Sequence, residues 1–329
     1  MPQVLLGDEA GIFAALERFK AHEPVVMPTE TVYGLAAPTH DERALAQVYA
    51  LKGRPATNPL IAHVTNSTMA QSIVANWDHQ AQALADALWP GPMTIILPKH
   101  PNVPDTATAG LQTIAVRAPS HPIAHTLINT FGGPLSAPSA NRSGNVSPTC
   151  VQHVLDDYEA HPEANDLLVL DGGPCDIGME STVLSLVEPQ PKLLRPGTVS
   201  RATIESIIGP VHEATETTQG ASPGSSPKHY APRTTVRLIE EASWKSASMK
   251  LNHTEVVLIT IGPIPLSPHT QAIQLPSDPT SVAASLYATL RSADALAHKH
   301  CATSIIIIAP PNEAPWRAVR DRLQRAAAG

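Results

Sequence analysis

Residues 25–64 read VVMPTETVYGLAAPTHDERALAQVYALKGRPATNPLIAHV, and the patterns follow one another as strand, polar turn, helix, basic knot and strand. The apolar run VVM stops at Pro28. Thr29, Glu30 and Thr31 follow directly, then Tyr33 and Gly34. Three oxygen-bearing side chains where a strand ends suit a ligand turn, because strand ends in open α/β sheets face crevices. From Asp41 the period changes: Ala44, Leu45, Val48, Tyr49 and Leu51 fall roughly on one helical face. Gly53 and Pro55 stop that helix, with Lys52 and Arg54 at the stop. A single cation there would only complement the helix dipole. Lys-Gly-Arg-Pro asks for more. Glycine lets backbone approach a ligand, proline fixes the exit, and a point charge beside a planar fork suits an oligophosphate.

Outside this stretch, composition bounds the answer. The 329 residues are 43% apolar and 16% charged, enough for one large or two ordinary cores. The run at residues 305–309 is too short for a bilayer, and MPQVLLGDEAG lacks the basic flank and apolar centre of a signal peptide. The expectation is a cytoplasmic protein without a membrane partner. Cys150, Cys175 and Cys301 lie far apart with no CxxC, which argues against a disulfide framework or structural zinc. A nucleophile at Cys150 near His153 has no supporting partner pattern. Residues 1–213 hold 11 Lys and Arg against 21 Asp and Glu, a net of −10, and residues 214–329 hold 11 against 8, a net of +3. A free-standing nucleic-acid binder carries a basic footprint, so direct nucleic-acid binding is expected to be absent or weak.

Along the chain, periodicity predicts helices over residues 11–22, 69–75, 80–88 and 123–129, and strands over 94–97 and 113–116. Residues 134–141, PLSAPSAN, read as extended, which turns Ser139 and Asn141 to one side. Strands are expected at 167–170, 181–187 and 192–195, then a helix over 201–208 capped by Ser200. Residues 214–227 are rich in Thr, Gly, Ser and Pro, as a linker is, and lead into KHYAP. Beyond it, strands at 235–239, 256–261 and 304–309 alternate with helices at 281–298 and 316–327, which implies a small parallel-sheet domain. That domain has no GxGxxG or Walker sequence, and no nucleotide site is assigned to it.

PTETVYGL, LKGRP, NPLIAHV and PSAN, in this order and spacing, resemble the threonylcarbamoyl-AMP synthase family, and the resemblance covers nearly the whole chain. It implies an α/β fold: a YrdC-like twisted open α/β sheet domain over residues 1–213, then a linker and active-site lid over 214–233. A smaller Rossmann-like parallel α/β domain over 234–329 completes it. It also implies an enzyme, a nucleotidyltransferase that makes threonylcarbamoyl-AMP and pyrophosphate from L-threonine, bicarbonate (or CO2) and ATP. The product would feed N6-threonylcarbamoyladenosine formation at tRNA position 37, through the downstream tRNA threonylcarbamoyl transferase machinery. By motif position, Thr31, His63, Arg117 and Ser181 would hold L-threonine. Arg54, Asn58, Thr113, Ser139, Ser147, Arg195 and Tyr230 would hold ATP, with Lys52 and Asn141 meeting phosphates and Lys52 and Arg54 as the catalytic cations.

The chemistry is coherent with such a set. A carbamate formed on the threonine amine attacks the α-phosphate, so the protein needs positioning and charge neutralisation more than a nucleophile. Mg2+ is expected with ATP, although no carboxylate cluster marks a dedicated metal site. Two positions depart from the family pattern. Ala137 stands where some relatives carry a hydroxyl, and residues 222–225 read SPGS where the family usually has SPGM before HYAP. Competing classes are an RNA-binding YrdC-like module, which the acidic first part disfavours, and a carbamoyltransferase-related protein, which the KHYAP linker and second domain disfavour.

Overall fold

Short apolar runs stopped by proline, glycine and capping oxygens set the strand and helix limits of this chain. The computed structural model describes residues 2–214, 230–249, 255–264 and 270–328. Contacts divide the chain into two compact units. One comprises Met1–Ser143, Pro148–Asp176 and Glu180–Ser225; the other comprises Gly144–Ser147, Ile177–Met179 and Ser226–Gly329. Residues 215–229 of the lid expected over 214–233 lie outside the described residues, and so does the SPGS departure.

In the first unit the elements run β1 (Gln3–Leu6), α1 (Glu9–Lys20), β2 (Val25–Met27), β3 (Gly34–Pro38), α2 (Glu42–Lys52), β4 (Ile61–His63), α3 (Ser67–Gln71), α4 (His79–Leu88), β5 (Met93–Pro98) and α5 (Asp105–Thr108). Then come β6 (Thr113–Arg117), α6 (Pro122–Phe131), β7 (Leu135–Ser136), α7 (Val151–Tyr158), β8 (Leu168–Asp171), β9 (Thr182–Ser185), β10 (Lys192–Arg195), α8 (Arg201–Ile208) and β11 (His212–Glu213). Eleven strands form one mixed sheet in the order β1-β8-β2-β3-β7-β4-β6-β5-β9-β10-β11. Its strands alternate between two cores. Val26, Leu35, Ala62 and Val116 pack on one side with Leu45 and Val48 of α2. Val25, Met27, Ala36 and Leu168 pack on the other with Ile12 and Phe19 of α1 and Leu127 of α6. A sheet covered on both faces explains why its strands read as unbroken apolar runs.

Local chemistry sets the helix limits. The Asp41 side chain accepts hydrogen bonds from the Arg43 and Ala44 amides and so starts α2. Gly53 ends it in the left-handed region at φ 58°, where a Cβ would be strained. Ser200 caps α8 through the Thr203 amide, as its sequence predicts. Five first-unit elements, β1, β3, α5, α7 and β11, were not anticipated, and the helix expected over 69–75 is shorter, α3 ending at Gln71. β3 is Gly-Leu-Ala-Ala-Pro, poor in β-branched residues, and it owes its extended form to the neighbours β2 and β7. β1 is a four-residue edge strand. α7 begins at Cys150, which makes no side-chain cap, so the usual start signal is missing.

The second unit holds β12 (Thr235–Ile239), α9 (Glu241–Ser248), β13 (Val256–Ile261), β14 (Gln271–Leu275), α10 (Pro279–Lys299), β15 (Ser304–Ile308) and α11 (Arg317–Ala327). Its sheet is all parallel in the order β12-β15-β13-β14. β14 was not expected, because QAIQL alternates weakly and carries two glutamines. α10 starts with Asp278 bonded to the Ser281 amide and Pro279 in the first turn. It buries Val282, Leu286, Tyr287, Leu290 and Ala293 on one face. No helix among the described residues is long and apolar enough to cross a membrane.

Candidate active site

The turn that leaves β2 folds onto itself before it meets anything else. The Thr29 hydroxyl donates to the Val32 carbonyl at 2.6 Å and lies 2.9 Å from the Thr31 hydroxyl. This local closure is what Thr side chains offer at a turn. It leaves Glu30 and Thr31 buried and directed at Arg117, the last residue of β6. Arg117 Nη1 donates to the Thr31 hydroxyl at 2.8 Å, and its Nε donates to the Gly91 carbonyl at 3.2 Å. Glu30 Oε1 lies 2.6 Å from Arg117 Nη2. Burial works to raise the Glu30 pKa, but the Arg117 charge and hydrogen bonding outweigh it, so the carboxyl sits below its ordinary value.

His63 ends β4 and is the register partner of Arg117. Its Nδ1 lies 3.1 Å from the Ile61 carbonyl. A carbonyl only accepts, so Nδ1 carries the proton and Nε2 is left as an acceptor. Burial, and next the Arg117 charge, push the His63 pKa down to about 3, which keeps the imidazole neutral at physiological pH. On the other side of β6, Ile95 of β5 stands opposite Val116, and Thr94 of β5 faces Val183 of β9. The Thr94 hydroxyl lies 2.7 Å from that of Ser181, just before β9. Arg195, at the end of β10, donates from Nη2 to the Ser181 hydroxyl and from Nε to its carbonyl, each at 3.1 Å.

A second group gathers at the end of α2. The Lys52 ammonium is buried and donates to the carbonyls of Ser139 and Asn141. Alternate carbonyls of an extended chain point the same way, so the reading of residues 134–141 as extended explains why both reach one lysine. Burial, then the nearby Arg54 charge, hold the Lys52 pKa well below normal. Arg54 donates from Nε to the Asn58 carbonyl at 3.0 Å and from Nη2 to the Pro59 carbonyl at 2.8 Å, which closes the loop into β4. The Asn141 amide donates to the Arg142 carbonyl. Thr113 opens β6 half-buried, opposite Pro98.

The structure therefore brings Thr31 to Arg117 and His63, Ser181 to Arg195, and Lys52 to Ser139 and Asn141. Ser147 and Tyr230 belong to the second unit. There Tyr230 is buried at φ 60°, its ring stacked on Tyr287 at 5.4 Å, with Arg322 Cζ 5.3 Å from its centroid. Thr94 escaped sequence reasoning, and Glu30 entered it only as one of three oxygen-bearing side chains in a ligand turn. Thr94 is the one hydroxyl in the buried run Met93–Leu97, a signal that alternation could have raised. Glu30 sits between two threonines already singled out, and only the fold supplies its arginine. Among the described residues no three His, Cys, Asp or Glu side chains stand together as a metal site. The chemistry on offer from these residues is anion recognition by guanidinium groups and hydrogen bonding by hydroxyls and one neutral imidazole.

Residues 17–197 match a family model described as Telomere recombination, and residues 199–328 match one described as Threonylcarbamoyl-AMP synthase, C-terminal domain. The chain is 34% identical over 330 residues to a threonylcarbamoyl-AMP synthase of Bacillus subtilis, covering 97% of this chain and 93% of the relative. Another threonylcarbamoyl-AMP synthase, from Pyrococcus abyssi, is 43% identical over 221 residues, covering 66% of this chain and 64% of the relative. A crystal structure of P. abyssi Sua5 complexed with L-threonine superposes with a TM-score of 0.86 at 33% identity, over 99% of this chain and 97% of that one.

Proposed function

The chain belongs to the threonylcarbamoyl-AMP synthase family, and from that premise we propose that it condenses L-threonine, bicarbonate and ATP to threonylcarbamoyl-AMP and pyrophosphate. The observation that carries this reading is the buried Arg117, held by Thr31 at 2.8 Å beside its register partner His63. A relative with this fold has been crystallised with L-threonine.

In the proposed reaction Arg117 receives the threonine carboxylate through its planar fork. Thr31, Ser181 and the Nε2 lone pair of neutral His63 supply hydrogen-bonding partners around the amino acid. The threonine nitrogen forms a carbamate with the carbon of bicarbonate, and water leaves. A carbamate oxygen then attacks the α-phosphorus, and the bond to pyrophosphate breaks. No enzyme nucleophile enters, so the protein's part is to hold two anions together and offset their charge.

Arg195 touches Ser181 through two hydrogen bonds, which ties the threonine set to the nucleotide set. Arg54, Asn58, Thr113, Ser139, Asn141, Ser147 and Tyr230 are assigned to ATP with it. Lys52 fixes the backbone of Ser139 and Asn141 through its hydrogen bonds to their carbonyls. Mg2+, if bound with ATP, would offset triphosphate charge; among the described residues no carboxylate cluster would hold it. We assign residues 1–213 to the catalytic domain and 234–329 to the Rossmann-like domain; the lid expected over 214–233 falls mainly on residues outside those described. The product passes to the machinery that transfers threonylcarbamoyl to tRNA adenosine 37, work that belongs to the cytoplasm.

The test is incubation of the full chain with ATP, Mg2+, bicarbonate and single amino acids, with detection of the adenylate by mass and of pyrophosphate. Formation should require both L-threonine and bicarbonate, and serine should serve less well for lack of the methyl group. Pyrophosphate release that ignores the amino acid would overturn the proposal.

A further inference from the structure

The turn after β2 buries a charge that the proposed reaction leaves without a part. Glu30 is 4% exposed and Arg117 is 3% exposed. Their contact is short, 2.6 Å from Oε1 to Nη2, but poorly aligned, and beyond it the carboxylate is held only by the backbone of Glu30 and Ser120. The other two guanidinium nitrogens are engaged, by Gly91 and by Thr31. A desolvated ion pair is stable only when its remaining lone pairs and protons are satisfied. A buried carboxylate whose side-chain partner is poorly aligned can accept a further donor from a ligand.

Charge indicates which group. A lone buried arginine would complement a bare carboxylate anion. Arg117 with Glu30 is neutral as a pair, and so complements a ligand that is itself neutral but carries both signs. An α-amino acid is such a ligand, with ammonium and carboxylate on one carbon. Glu30 and Thr31 are consecutive residues reaching the same guanidinium, so an acceptor for the ammonium, Glu30, stands beside the donor for the carboxylate, Arg117. Resting on the assignment of L-threonine to Arg117, we propose that Glu30 receives the α-ammonium of the amino acid whose carboxylate Arg117 receives. Glu30 is then a specificity residue: it selects α-amino acids over the corresponding hydroxy acids.

The experiment is calorimetric titration of the full chain with L-threonine and with the analogue in which a hydroxyl replaces the α-amine. Wild-type protein should prefer threonine by about tenfold or more, the size of a charge-assisted hydrogen bond. Glu30→Gln should bind the two ligands within about threefold of each other, and Glu30→Asp should restore part of the preference. The wild-type comparison stands even if Glu30→Gln fails to fold: equal affinity for the two ligands overturns the inference. A folded Glu30→Gln that weakens both ligands alike and keeps the preference also overturns it, since Glu30 would then only orient Arg117. Absence of any threonine binding by wild-type protein in the presence of ATP and Mg2+ would remove the proposed function and this inference together. Threonine binding with an unchanged preference in Glu30→Gln would remove the inference alone.

Discussion

Arg117 is the residue on which most of the site converges. Replacing it by lysine keeps the charge and loses the planar fork. Arg117→Lys is expected to weaken threonine binding at least about tenfold, the loss of a charge-assisted hydrogen bond, while ATP affinity stays close to wild type. Separate titrations check both halves, and unchanged threonine affinity would move Arg117 out of the amino-acid site. His63 supplies a pH test. Its pKa is about 3 in the fold, below the free value of 6.5. Between these values the unfolded chain binds a proton that the folded chain refuses, so stability is greatest above pH 6.5 and falls as pH drops toward 3. The steepest contribution is about 1.4 kcal/mol per pH unit. Glu30, held below its ordinary 4.5, adds a loss in the same direction at the acid end. Urea unfolding from pH 7 to pH 4 should show a shallower decline for His63→Gln than for wild type. At this scale the sequence offered residue types and motif positions. It could not offer partners that lie 86 or 87 residues apart, such as Arg117 with Thr31 or Ser181 with Thr94.

Among the elements, α2 and its exit carry the heaviest constraint. Gly53 adopts φ 58°, and a Cβ there would stand 3.4 Å from Arg142 Nη2. Gly53→Ala is expected to cost about 1 kcal/mol or more in unfolding free energy, from backbone strain rather than lost packing. It should also disturb the Lys52 contacts one residue away. Chemical denaturation and the threonine-dependent release of pyrophosphate check the two effects. Normal stability would show that the turn tolerates a side chain. This element was legible in advance because every local signal agreed: Asp41 at its start, one apolar face and glycine at its stop. α7 and β3 were not, since Cys150 does not cap and Gly-Leu-Ala-Ala-Pro has no strand preference of its own. Their form is imposed by neighbours far away in the chain.

Across the whole molecule, two units with separate sheets and cores share one chain. In the second, Tyr287 of α10 is fully buried and supports the ring of Tyr230. Tyr287→Ala removes a buried aromatic and is expected to destabilise that unit by roughly 3 kcal/mol. Hydrogen exchange should lose protection in β12, β13, β14 and β15 while β2, β4 and β6 keep theirs. Equal loss in both sheets would mean that the units unfold as one. The two-sheet organisation was legible from the change of composition near residue 214. The return of Gly144–Ser147 and Ile177–Met179 to the second unit was not, because no composition shift marks them.

The strand order also sets a schedule. β1 and β2 do not pair with each other; β8 lies between them and pairs with both. A growing chain that has already delivered Thr31, His63 and Arg117 still lacks the strand that holds β2 in place. With synthesis at about 5–20 residues per second, that strand follows β2 by roughly seven to thirty seconds. During that interval the nascent chain carries exposed apolar strands, a period in which chaperones would find it most readily.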